Sequence, residues 1–95
     1  MVYFVVTIYY DEKKDRKDYL EYINAVKSIV SKYGGRYIVR SEKITALSSE
    51  WSPNRVIVIE FETREQLEKC FSSEEYKQIA FLRENSVDSK AIIIE

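Results

Sequence analysis

Residues Tyr19–Gly35 read YLEYINAVKSIVSKYGG, and the fold is decided there. Tyr19, Tyr22, Ile23, Val26, Ile29, Val30 and Tyr33 recur at steps of three and four, which draws one apolar stripe along a helix. Lys27, Ser31 and Lys32 fall on the opposite, wet side. Gly34 and Gly35 then stop the helix, because glycine just past the last turn takes the left-handed conformation at no steric cost. They are the only two glycines in the chain.

Upstream of this helix, Asp11–Asp18 (DEKKDRKD) is a mixed charge run. It reads as a solvated loop with Asp15 as the N-cap. Before it, Val2–Tyr10 (VYFVVTIYY) is β-branched and aromatic throughout, the pattern of a strand buried on both faces. Downstream, Arg36–Leu47 reads as an extended strand, bent near Ser41–Lys43. Ser48–Asn54 (SSEWSPN) is a turn region and holds the only proline. Arg55–Phe61 (RVIVIEF) is a second continuous apolar strand, so the two runs predict an antiparallel hairpin.

Thr63 with Gln66 matches a capping box and starts a second helix, with Leu67, Cys70 and Phe71 on its apolar side. Ser72 with Glu75 repeats the signal, which predicts a break and restart at Ser72. Tyr76, Ile79, Ala80 and Leu82 continue the buried side. Asn85, tolerant of the left-handed conformation, is the predicted stop. Lys90–Glu95 (KAIIIE) reads as the last strand.

The order is strand, helix, strand, strand, helix, strand. Right-handed crossovers bring both helices to one face of a single sheet. This predicts an α+β, ferredoxin-like βαββαβ sandwich with a four-stranded antiparallel sheet, as one domain over residues 1–95.

Such helices cover only one sheet face. The other should alternate to polar residues if it meets water. In the first strand, however, Val2, Phe4, Val6 and Ile8 point one way and Tyr3, Val5, Thr7 and Tyr9 the other. Val56 and Val58 oppose Ile57, Ile59 and Phe61, and Ile92 and Ile94 oppose Ala91 and Ile93. An exposed apolar sheet of this size exceeds what a soluble monomer tolerates. A homodimer packed through its sheet faces, forming a barrel, is therefore expected.

Composition closes off several functions. The chain is 45% apolar and 33% charged, enough to fold without lipid or disulfides. Lys plus Arg number 15 against 16 Asp plus Glu, so no basic excess is available for nucleic-acid binding. Histidine is absent, which removes histidine-based nucleophile activation and the commonest metal ligand. No carboxylate cluster has calcium-loop spacing and no glycine-rich phosphate loop exists, so no metal or cofactor is expected. Cys70, alone, reads as a small buried hydrophobe. Met1–Tyr10 is apolar but shorter than the roughly 20 residues of a membrane span, and has neither a basic lead-in nor a cleavage site. The expectation is a cytoplasmic protein.

Several segments together resemble a known family. They are Lys32-Tyr33-Gly34-Gly35-Arg36-Tyr37-Ile38-Val39-Arg40; Glu50-Trp51-Ser52-Pro53 with Arg55; Val58-Ile59-Glu60-Phe61; Ser73-Glu74-Glu75-Tyr76; and Leu82-Arg83. In this order they resemble the domain-of-unknown-function family numbered 1330. The resemblance implies a ferredoxin-like protomer in a dimeric α+β barrel, with no established activity. In fold it is similar to cofactor-free monooxygenases, muconolactone-isomerase-like enzymes and stress-responsive barrel proteins. The sequence departs from the family at Cys70 and Phe71, where a Trp-Tyr pair is usual, and at Glu74, where proline is usual. The loss of the tryptophan enlarges or reshapes any cavity on the helix side.

The candidate functional residues follow. Glu60 interrupts an apolar strand on the face of Val56 and Val58; it is either a desolvated general base or the partner of Arg36 or Arg40. Arg36 and Arg40 flank Ile38 and are expected on one strand face, able to grip an anionic ligand or to pair with carboxylates. Arg55 joins them as a ligand-binding candidate. Arg83 either stabilises a helix end or lines a cleft. Trp51 either packs at the barrel mouth or stacks on a ligand. Tyr37 and Tyr76, with Tyr19, Tyr22 and Tyr33, should face the helix–sheet interior or its rim and make it partly polar. Two functions fit: a small-molecule-binding or interaction module without catalysis, or a cofactor-free enzyme on a small aromatic or enolisable substrate.

Overall fold

A computed structural model describes the whole chain, Met1–Glu95. Its elements are β1 (Val2–Tyr10), α1 (Lys17–Lys32), β2 (Arg36–Ser41), β3 (Arg55–Phe61), α2 (Arg64–Ser72), α3 (Glu74–Glu84) and β4 (Val87–Ile94). The sheet order is β2-β3-β1-β4 and every neighbouring pair is antiparallel. This is the ferredoxin-like α+β sandwich, with α2 and α3 together standing for its second helix.

The end of α1 follows from its glycines. Gly35 N–H donates to Val30 O at 2.9 Å and Gly34 N–H to Ser31 O at 3.0 Å, the paired bonds of a Schellman motif. Gly34 has φ +83°, where a side chain is strained. Gly35 is needed for space: a Cβ there would sit 2.6 Å from Val30 Cγ1 and 2.8 Å from the Phe61 ring. Val30 and Phe61 are themselves fully buried, so the neighbours cannot give way.

The helix starts differ in detail from the reading of the sequence. Helix α1 begins at Lys17, and Arg16 holds the N-cap position without a side-chain bond. Asp15 acts one place earlier, its Oδ1 accepting from Lys17 N–H at 2.9 Å. At α2 the capping box forms as the spacing predicts, with Thr63 Oγ1 accepting from Gln66 N–H and Gln66 Oε1 accepting from Thr63 N–H. The break falls at Ser73 and not Ser72. Ser73 Oγ donates to Cys70 O at 2.7 Å and accepts from Tyr76 N–H at 3.2 Å, so one hydroxyl closes α2 and opens α3. Asn85 is not left-handed; its φ is −81°. Buried Ser86 does the stopping, with its Oγ donating to Leu82 O at 2.5 Å.

Strand β2 ends at Ser41 instead of running to Leu47, and residues 42–54 leave the ladder. Asn54 returns the chain to the sheet, its N–H donating to Ile8 O at 2.8 Å and its Oδ1 accepting from Tyr10 N–H at 2.9 Å. Strand β4 starts at Val87, earlier than Lys90, because the pairing with β1 runs on through Ser89↔Ile8 to Val87↔Tyr10.

A bulge in β2 overturns one expectation. Between Tyr37 and Val39 the register slips, so Arg36 stands opposite Glu60 while Arg40 stands opposite Ile57. One extra residue moves every later side chain to the other face. Arg36 therefore lies on the face turned away from the helices, and Arg40 on the helix side with Tyr37. The two arginines do not share a face.

The core lies between the sheet and the helices, around Val6, Ile8, Tyr19, Val30, Phe61 and Cys70. Because Gly35 has no room for a methyl group, Gly35→Ala is expected to cost about 1–3 kcal/mol. Urea unfolding checks this; an unchanged midpoint would show that the contact with Phe61 and Val30 does not constrain the fold.

Candidate functional site

A cavity of about 220 Å³ lies between the helices and the sheet. Its floor is the helix-facing side of β1, with Phe4, Val6 and Ile8, continued by Ile57 and Ile59 of β3. Helix α1 brings Tyr19, Tyr22 and Val26 over it, α3 brings Tyr76 and Arg83, and β4 brings Ser89. The 3.6-residue period places Tyr19, Tyr22 and Val26 on the same stripe. Aromatic packing sets the walls. Phe4 stacks on Phe71 at 4.5 Å between centroids, and Phe71 meets Tyr76 edge-on at 5.0 Å.

The polar groups form a small set in an otherwise apolar wall. Tyr22 Oη and Tyr76 Oη share a hydrogen bond of 2.9 Å. Arg83 donates to Ser89 Oγ at 2.5 Å, and its other nitrogen lies 3.9 Å from the exposed Glu84 carboxylate. Tyr19 is almost wholly buried, yet its Oη bonds to no group of the protein. Burial pushes the Tyr19 and Tyr37 phenols up to about 12, and raises Tyr22 further, with its Tyr76 neighbour adding to the effect. These phenols are therefore neutral hydrogen-bonding groups at ordinary pH. Burial opposes the charge of Arg83, but the Tyr76 and Tyr22 phenols outweigh it and leave the guanidinium's pKa raised. No carboxylate lines the cavity. No group of three or more metal-ligating side chains gathers anywhere in the structure.

Of the candidates from the sequence, Tyr37, Tyr76 and Arg83 come together in this cavity. Arg40 is exposed at its edge, with its guanidinium 5.2 Å from the Tyr37 ring centroid. Arg55 is on the helix side too, paired loosely with Glu42 at 3.7 Å. Glu60 is elsewhere: it lies on the far face of the sheet and binds Arg36 at 2.5 Å, with its side chain only 12% exposed. Tyr3 faces it across the β1–β3 pair, and a hydrogen bond to Glu60 raises the Tyr3 phenol's pKa. Trp51 also belongs to the far face. Its Nε1–H donates to Tyr9 Oη at 2.9 Å, beside a groove of about 570 Å³ between the strands and residues 44–48. Ser89 was not singled out by the sequence, because nothing local marks it. Its place opposite Ile8 exists only once β4 is paired.

Cys70 is fully buried and its thiol is pushed up to about 11 by that burial, so it is an inert packing residue. No helix is long and apolar enough to cross a membrane.

Comparison with known proteins extends this description. The chain is similar in fold to RPA0582, a protein of unknown function from Rhodopseudomonas palustris. The two are 13% identical with a TM-score of 0.82, over 98% of this chain and 79% of that one. It is similar to the Arabidopsis thaliana protein At3g17210, at 13% identity and a TM-score of 0.72 over 99% and 91% of the two chains. It is also similar to an antibiotic biosynthesis monooxygenase, at 11% identity and a TM-score of 0.64 over 100% and 97%. At such identities the likeness is one of fold. No curated protein matches the chain by sequence. The family described as domain of unknown function, DUF1330, matches all of residues 1–95, and the chain belongs to that family.

Proposed function

We propose that the protein is a homodimeric small-molecule-binding module, one domain per protomer, that takes a compact apolar anion into the helix–sheet cavity. The observation that carries this reading is the character of the wall: aromatic and aliphatic side chains, hydroxyls, and one guanidinium, with no carboxylate. A flat ring bearing one acidic oxygen meets all of it. The ring lies against Phe4, Phe71 and the tyrosines, and the oxygen accepts from Arg83 and a phenol. A cytoplasmic setting belongs to the same reading and is supported by the single free thiol, Cys70. Catalysis with Glu60 as base has less support, since the sheet separates that carboxylate from the cavity and Arg36 occupies it.

The dimer part of the proposal is supported by the face turned away from the helices. Val5, Val56 and Val58 line it near the centre, and Ile92 and Ile94 lie on it at 59% and 47% exposure. A twofold copy laid on this face removes that apolar surface from water.

Three measurements test these statements. Light scattering is expected to give twice the 11.3 kDa chain mass. Val58→Glu should shift the protein toward monomer with its circular dichroism retained; a wild-type monomer at micromolar concentration would overturn the dimer. Benzoate should bind roughly tenfold more tightly than benzamide, and Arg83→Met should erase the difference, because a charge-assisted bond to a carboxylate is lost. Equal binding of the two by the wild type, read by calorimetry or ligand-observed NMR, would remove Arg83 as the anchor. Finally, raised phenol pKa values mean that the fold favours the neutral form. That stabilisation is complete below about pH 10 and is lost as pH rises toward about 12. A spectrophotometric titration should show late tyrosines whose ionisation accompanies unfolding; all eight titrating near the ordinary value in the folded state would contradict the burial.

A further inference from the structure

Two buried polar groups on the helix side have no partner: Tyr19 Oη and Arg55 Nε. Native interiors rarely leave such groups unsatisfied. Tyr19 is 1% exposed and lines the cavity. The Arg55 side chain is 12% exposed, and only its Nη1 approaches an acid, Glu42 Oε1 at 3.7 Å. Glu42 is engaged as well by Tyr10 Oη, which donates to it at 3.1 Å.

The sheet register places this pair relative to the first anchor. Ile8 of β1 has Arg55 as its partner on β3 and Ser89 as its partner on β4. Arg55 and Ser89 therefore flank Ile8 on the helix side, two strand spacings or about 9.5 Å apart. Arg83 is bonded to Ser89. Tyr19 lies within the field of both guanidiniums, each of which works against the burial that raises its phenol. Arg83, Ser89 and Tyr19 line the cavity over its apolar floor, and Arg55 flanks Ile8 just outside that lining, on the β3 side.

We propose that Tyr19 Oη and Arg55 Nε form a second acceptor-binding subsite. The ligand then carries two acidic or carbonyl oxygens at opposite ends of a rigid ring, one held at Arg83 and the other at Tyr19 and Arg55. This inference rests on the cavity-binding reading above and narrows its ligand class from a monoacid to a para-disubstituted diacid or its carbonyl equivalent.

Terephthalate and benzoate are the probes, titrated into the intact protein by calorimetry. Terephthalate is expected to bind about tenfold more tightly than benzoate, the size of one further charge-assisted bond. In Tyr19→Phe and in Arg55→Met the ratio of the two affinities should fall to about one. Tyr19→Phe removes a hydroxyl that has no protein partner, so its thermal midpoint should be unchanged or raised, and it keeps the test valid if Arg55→Met fails to fold. Benzoate binding with no gain for terephthalate, or a gain that survives Tyr19→Phe, overturns the second subsite alone and assigns the two groups to a bridging water. Terephthalate binding that depends on Tyr19 but not on Arg83 supports this subsite and overturns the first anchor. Failure of both probes to bind overturns both readings.

Discussion

The closest constraint in the molecule is the approach of α1 to the sheet at Gly35. The chain passes there with no room for a methyl group between Val30 and the Phe61 ring. That contact sets one end of α1 tightly on β3, where the helix presents valines. At the other end the helix presents Tyr19 and Tyr22, whose rings lie parallel within 14° at 6.0 Å between centroids. The cavity lies under this end of the helix, between Tyr19, Tyr22 and Val26 and the sheet.

Much of the frame was legible in the sequence. The glycine pair marked the helix stop, and Thr63 with Gln66 marked a start, because both signals act through local backbone groups that need no tertiary partner. The alternation of β1 told which residues share the floor, since its period is fixed by the pleat. The failures have one cause. The bulge after Tyr37, the use of Ser73 instead of Ser72, and the extension of β4 back to Val87 depend on what lies across a strand or under a helix. Ile38 carries no local mark of a bulge, yet it sends Arg40 to the helix side and leaves Arg36 with Glu60 on the other. The candidate site was legible to the same degree. Tyrosines and Arg83 could be nominated from their helices, while Ser89 and the pairing of Arg55 with Ile8 required the register.

The absence of histidine gives the cavity its chemical character. Its walls hold phenols raised by burial and a guanidinium whose charge is fixed, so its polarity is constant across the ordinary pH range. Such a wall can orient and neutralise an anion, but it offers no group poised to take up a proton near neutral pH. This is why binding is the chemistry proposed for this interior.

The two faces of β1 tie that interior to the rest of the molecule. Val6 and Ile8 form the cavity floor, while Val5, Thr7 and Tyr9, interleaved with them, line the opposite groove. Thr7 Oγ1 and Trp51 Nε1 both donate to Tyr9 Oη, which connects the loop of residues 42–54 to this same strand. The loop also carries Glu42, which pairs loosely with Arg55 beside Ile8. In the proposed dimer a copy on this face would meet Trp51 and the groove, on the same loop that carries Glu42. The strand and its loop thus join the surface proposed for self-association to the residues proposed for ligand binding.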